Sequence, residues 1–221
     1  MRAQSWTAST FSGLAPRVLT ANMDFHSGNN GKYISHLIGT GAELLLLQEC
    51  KDFRVADLLP AGWRALQDSS SEAKAGSAMA VSSGFSVESW WMVKGCDAPA
   101  GGGMLPRWLC CAELTHDSGT ELAPISCHAP PPRYSQLQPG FNAAVAQVVS
   151  QYPKTSVVGA DANQDITKFA KALGAGMKAV GKQSGICLVS ALPMAAVVQD
   201  SWGQTQGMTD HPAVSADVGK V

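Results

Sequence analysis

Four consecutive leucines, Leu44–Leu47, run directly into Gln48 and Glu49. Successive side chains of a strand point to opposite faces, so an unbroken apolar run is stable only where both faces are covered. A second run of this kind, Val157-Val158-Gly159-Ala160, stops at Asp161 and Asn163. The chain must therefore place buried central strands inside a layered α/β structure, and those strands end in polar groups. A length of 221 residues is enough for one sizeable core.

The remaining segments fit this frame. Residues 17–22 read as a strand. Residues 32–41 have helical spacing, with Gly39 and Gly41 as stop signals. Residues 51–59 read as a short helix closed by Pro60. Residues 63–67, 77–83, 85–93, 107–114 and 121–128 are short β-rich stretches, with a glycine loop at 100–105. A helix is predicted over 134–152, a weaker one over 165–173, and strands at 155–160, 186–191, 195–200 and 213–218. Sheets inside and helices outside make an α/β sandwich. Residues 1–16 read as an N-terminal extension, and 17–221 as one domain.

Composition narrows the function classes. At 45% hydrophobic and 15% charged the chain is too apolar for disorder. A net charge of −1 argues against a duplex-binding surface built on bulk positive charge. No apolar run reaches the ~20 residues of a membrane span, and the N-terminus lacks a signal-peptide core, so a soluble, cytoplasmic protein is expected. The six cysteines form no CxxC pair and read as reduced core thiols. Cys110 and Cys111 are predicted on opposite faces of one strand.

The chemistry lies at the strand ends. Asn22, Glu49, His128, Asp161 and Asn163 each end or follow an apolar strand, and Asp210 and His211 lead into the last one. If one sheet edge gathers them, carboxylate and amide oxygens suit Mg²⁺ or Mn²⁺ rather than zinc. Asp161 could accept a proton from water, Asn163 could orient that water, and two imidazoles could donate to phosphate oxygens. The competing reading of Asp161 and Asn163 is a plain turn.

The segments ANM at 21–23, LLLLQE at 44–49, GSAMAVSS at 76–83, SCHAPPPR at 126–133, VVGADANQD at 157–165 and TDHPAV at 209–214 resemble the endonuclease/exonuclease/phosphatase superfamily, in the order that family uses. The resemblance implies a four-layer α/β/β/α sandwich of the deoxyribonuclease I-like kind. It implies that Glu49 holds a divalent ion (Mg²⁺ or Mn²⁺) with Asn22 and Asp210 beside it. It also implies that Asp161 and Asn163 place and activate water, and that His128 and His211 flank the scissile phosphate. Nucleic acid is the expected substrate, and Arg107 and Arg133 are candidate phosphate contacts. A phosphatase or lipid phosphodiesterase of the inositol-phosphate or sphingomyelinase kind, and a non-catalytic binding member, are the alternatives.

Three positions depart from the family pattern. Gly185 stands where many members have the aspartate that orients the final histidine. No acid stands in register near Lys74-Ala75-Gly76 to partner the other histidine, Glu72 being displaced. Thr209 replaces a serine. Outside the motifs, Asp165 reads as a helix cap, and His26, His36 and His116 as surface or core residues. Trp90 and Trp91 alternate across a strand, one of them a candidate for base stacking.

Overall fold

The computed structural model describes residues 15–23, 28–182 and 185–219, so His26 and residues 1–14 of the N-terminal extension lie outside the described residues. β1 (Arg17–Asn22) leads to α1 (Asn30–Gly39), which buries Tyr33, Ile34 and Leu37. The four-leucine run is β2 (Leu44–Gln48), buried throughout. Where a helix is predicted over 51–59 there is only a single 3₁₀ turn, Val55–Leu58. Leu59 is already extended there, because a following proline disfavours helical backbone. β3 (Trp63–Leu66), α2 (Glu72–Ala75), β4 (Ser77–Ser82), β5 (Phe85–Cys96), β6 (Arg107–His116) and β7 (Glu121–His128) follow.

The helix predicted over 134–152 begins at residue 138, as α3 (Gln138–Gln151), after a 3₁₀ turn at Pro132–Leu137. Pro139 sits in its first turn, where a missing N–H is tolerated. β8 (Ser156–Asp161) leads to α4 (Ile166–Leu173), capped by Asp165, whose side chain accepts the Lys168 N–H at 2.9 Å. β9 (Lys178–Gly181), β10 (Ile186–Ser190), β11 (Met194–Asp200), α5 (Trp202–Thr205) and β12 (Ala213–Val218) complete the chain. β9 and α5 have no counterpart in the sequence reading, because four residues carry too little periodicity to register.

The strands form two six-stranded sheets, ordered β11-β12-β1-β2-β4-β3 and β5-β6-β7-β8-β10-β9. Three apolar clusters divide them. Tyr33, Ile34, Leu37, Leu45 and Leu47 pack between α1 and the first sheet. Leu44, Leu46, Met79, Cys110 and Val157 fill the space between the sheets. Cys111, Phe141, Val145, Val158 and Phe169 join the second sheet to α3 and α4. The layers are therefore α/β/β/α, as the family resemblance implies. Leu44 and Leu46 face one cluster while Leu45 and Leu47 face another, which is why that run could not alternate with polar residues. Cys110 and Cys111 take opposite faces, and all six cysteines are free thiols.

Each sheet contains one parallel pair. β1 runs beside β2 with Asn22 opposite Gln48, and β7 beside β8 with His128 opposite Asp161. Parallel partners end at the same edge, so both pairs deliver their C-terminal residues together. Between the sheets Gln48, fully buried, donates to Thr20 Oγ1 at 3.2 Å, Ser126 Oγ at 3.2 Å and the Gly159 carbonyl at 3.3 Å. This satisfied polar knot ties the first sheet to the second directly beneath the strand ends.

Candidate active site

Glu49 follows β2 in a left-handed conformation, φ 59°, and Asn163 follows β8 at φ 49°. Non-glycine residues rarely sit there, and the conformation costs energy that the surroundings must offset. Glu49 lies at the exit from a buried strand, and both residues belong to one convergent group. The Asn22 amide donates to Glu49 Oε1 and to Asp161 Oδ2, each at 3.0 Å, and so bridges the two sheets. His128 approaches Glu49 Oε1 through Nδ1 at 3.8 Å and Asp161 Oδ2 through Nε2 at 3.5 Å. His211 Nε2 lies 3.5 Å from the same Asp161 oxygen and 3.1 Å from Asp210 Oδ1. The Asn163 backbone N–H points to Asp161 Oδ1 at 3.4 Å, and its side-chain amide donates to the Ala129 carbonyl at 3.0 Å.

All seven strand-end residues thus meet at one edge. Asp161 is 1% exposed and Asn22 2%, so these are fixed groups rather than solvated decoration. Asp210 stands apart: its side chain is 80% exposed at the rim, touching His211. Among the described residues, the carboxylate and imidazole atoms close enough to share one ion belong to Glu49, His128 and Asp161, all within 4.8 Å of one another. The two approaches of His128 use opposite ring nitrogens, Nδ1 toward Glu49 and Nε2 toward Asp161, and one imidazole gives an ion only one of them, so the oxygen donors of the group, Glu49 and Asn22 foremost, are the ones whose chemistry suits Mg²⁺ or Mn²⁺.

Burial, and then the nearby Arg107 guanidinium, hold the His128 imidazole down at a pKa of about 4, against the opposing pull of Asp161. It is therefore neutral at pH 7, with one ring nitrogen a donor and the other an acceptor. Below the site, Gln138 at the start of α3 donates to the Pro130 and Asn163 carbonyls at 3.1 and 3.0 Å, tying the two strand-exit loops together.

A groove of about 280 Å³ opens beside Glu49 and His128. Both predicted arginines line it. Arg107 sits within electrostatic range of Glu49 and Asp161, and its buried Nε has no hydrogen-bond partner. Arg133 donates to the Gly103 carbonyl at 3.3 Å and is thereby fastened to the glycine loop. The aromatic wall of the groove is Trp108, with Lys74 Nζ 5.1 Å from its ring centre. Trp90 packs against the cluster between the sheets and Trp91 against the helical layer, both half-buried, and neither lines the groove. Only its position after Arg107 could have drawn attention to Trp108.

The departures have structural consequences. Gly185 faces His211: a side chain begun there would place its Cβ 3.6 Å from His211 Nδ1. That buried nitrogen has no hydrogen-bond partner, so no other described side chain substitutes for the missing acid. His36 and His116 lie outside the site, paired with Asp200 at 2.6 Å and Glu43 at 3.2 Å.

No protein-family model matches the chain, and no curated protein sequence matches it significantly. Solved structures do. An endonuclease/exonuclease/phosphatase from Bacteroides vulgatus superposes with a TM-score of 0.73 at 12% identity, over 93% of this chain and 99% of that one. Danio rerio TDP2 complexed with single strand DNA product gives 0.72 at 13% identity, over 93% and 99%. The endonuclease domain of TRAS1, a telomere-specific non-LTR retrotransposon, gives 0.64 at 16%, over 93% and 98%. At such identities the likeness is one of fold, and it is the fold that the ordered motifs implied.

Proposed function

We propose that this chain is a divalent-metal-dependent phosphodiesterase acting on nucleic acid. The observation that carries the reading is the junction at Asn22, whose one amide joins Glu49 of the first sheet to Asp161 of the second. That junction brings the Glu49 and Asp161 carboxylates into one pocket, which supports reading Glu49 as an ion ligand and Asp161 as a proton acceptor. Glu49 and Asn22, with Asp210 at the rim, would hold Mg²⁺ or Mn²⁺; when bound, the ion polarises the phosphoryl group as a Lewis acid. Asp161 accepts the proton of the attacking water, and Asn163 orients that water. His128, neutral at pH 7, donates one N–H to a phosphoryl oxygen without carrying charge of its own. His211 lies on the other flank of Asp161 and stabilises the leaving oxygen.

Arg107 and Arg133 bring guanidinium groups to the groove, where they suit neighbouring phosphates. Trp108 offers an aromatic wall of the kind on which an unpaired base stacks. The fold is shared with a TDP2 bound to single-stranded DNA product and with an endonuclease domain, which supports nucleic acid as the substrate class. The test is to incubate supercoiled plasmid, single-stranded oligonucleotides and RNA with the protein and Mg²⁺ or Mn²⁺. Cleavage is expected, with loss of activity in EDTA and in Asp161→Ala. Cleavage that persists through both controls discards the mechanism. Turnover confined to inositol phosphates or sphingomyelin would favour the second reading, which the net charge of −1 leaves open.

The Gly185 position yields a gain-of-function expectation. Its φ lies outside the left-handed region, and the space toward His211 is open to within 3.6 Å. Gly185→Asp should place a carboxylate against His211 Nδ1 and fix the ring. An increase in kcat of about tenfold is expected, in the range of partners that orient a site histidine. An unchanged rate would show that His211 needs no carboxylate behind it. A wild-type protein inert on every substrate, awakened by this substitution, would identify the natural chain as a binding member.

A further inference from the structure

Asp210 and His211 reach the site on a turn outside both sheets, and that turn is gripped from α1. Asp200, the last residue of β11, uses both carboxylate oxygens: Oδ2 meets His36 Nε2 at 2.6 Å, and Oδ1 accepts the Trp202 N–H at 2.8 Å. The His36 imidazole lies flat on the Trp202 indole, with centroids 4.0 Å apart and planes at 12°. Tyr33, one turn earlier on α1, stacks against the same indole at 6.4 Å. Gly203 permits this closeness, because a Cβ there would lie 2.7 Å from the Tyr33 ring and 2.9 Å from Thr209 Cγ2.

From α5 the order passes to the site. The Met208 N–H donates to the Gly203 carbonyl at 2.9 Å, Gln204 Nε2 donates to the Asp210 carbonyl at 2.8 Å, and the His211 N–H donates to Thr209 Oγ1 at 3.2 Å. The cluster is not arranged for stability alone. The Tyr33 hydroxyl is buried with no hydrogen-bond partner, an arrangement that costs free energy. Contradictions of this kind in an otherwise consistent structure gather where function constrains the geometry.

We infer that His36, Asp200, Trp202 and Gln204 form a positioning clamp that sets where Asp210 and His211 stand. The inference rests on the proposed phosphodiesterase reading for its kinetic consequence, though not for its structural one. Small displacements of reacting groups reduce rates steeply, so loosening the clamp should act on turnover more than on substrate binding.

Asp200→Ala removes both hydrogen bonds. Asp200→Asn keeps an acceptor for the Trp202 N–H and gives up the charge facing His36. Gln204→Met removes only the side-chain bond to the Asp210 carbonyl at a half-buried position and keeps the length of the side chain, which preserves folding. Two measurements separate the outcomes: steady-state kinetics with Mg²⁺, and amide hydrogen exchange of residues 207–211. For Asp200→Ala, kcat is expected to fall about tenfold with KM within about twofold of wild type, and amides 207–211 to exchange about tenfold faster. Asp200→Asn should recover most of both, and Gln204→Met should reproduce the kcat loss with a smaller exchange change. Unaltered kcat and unaltered exchange in Asp200→Ala would overturn the clamp. Should the wild-type protein hydrolyse nothing, the functional reading fails by itself, and the exchange data still decide the clamp.

Discussion

Glu49→Gln is expected to lower kcat on the order of 10³-fold while leaving the fold intact. The carboxylate sits where β2 ends, turned into the site by a left-handed backbone. Its Oε1 accepts from Asn22 at 3.0 Å and lies 3.8 Å from His128 Nδ1. Glutamine keeps the shape and an acceptor oxygen, so the contact with Asn22 survives. It removes the negative charge that would hold a divalent ion, and a loss of several kcal/mol of charge stabilisation translates into about 10³ in rate. Folding should change little, because Asp161 remains within electrostatic range of the buried Arg107 guanidinium after the Glu49 charge is lost. The measurements are kcat with Mg²⁺, Mn²⁺ affinity by calorimetry, and the melting temperature. A variant within about tenfold of wild-type kcat would remove Glu49 from the ion-binding role.

The second large effect concerns folding. Gly159→Ala is expected to destabilise the protein by about 3 kcal/mol. The residue lies midway along β8, and its Cα faces the first sheet. An added methyl would fall 2.5 Å from Leu46 Cβ and 2.9 Å from Thr20 Cβ, both on strands held in register by the surrounding sheet. Neither neighbour can swing aside, since both clashing atoms are anchored directly to the backbone. The Gly159 carbonyl also accepts from Gln48, so parting the sheets would strain the polar knot beneath the site. For a chain of this size the melting temperature should drop by roughly 6–12 °C. A drop smaller than about 2 °C would show that the sheets can separate locally at little cost.

The two predictions concern neighbouring motifs that were legible to different degrees. LLLLQE announced a strand covered on both faces, and Glu49 at its end drew suspicion because a carboxylate there needs a purpose. VVGADAN announced another strand and its acids, but nothing in the string marked Gly159 as the point of contact between sheets. Gln48 was equally silent: a glutamine between leucine and glutamate reads as the first polar residue after a strand, whereas it is buried and hydrogen-bonded to three strands. Trp108 was invisible for the converse reason, since alternation predicts a side chain's face and not whether a groove lies above it. The helix over 51–59 failed because composition favoured it while Pro60 limited the segment to one 3₁₀ turn.

Local sequence alone determined which strands had to be buried, which polar groups stood at their ends, and that sheets would lie inside and helices outside; the four-layer α/β/β/α order was what the family resemblance implied. These properties depend on neighbours a few residues apart, where side-chain alternation and turn chemistry act. Only the tertiary structure decided that Asn22 would join Glu49 to Asp161, that Asp210 would stand at the rim while His128 closes the group, and that His211 Nδ1 would face the gap left by Gly185. Those outcomes depend on how two sheets pack and on strand register, distances set by groups more than a hundred residues apart in the chain.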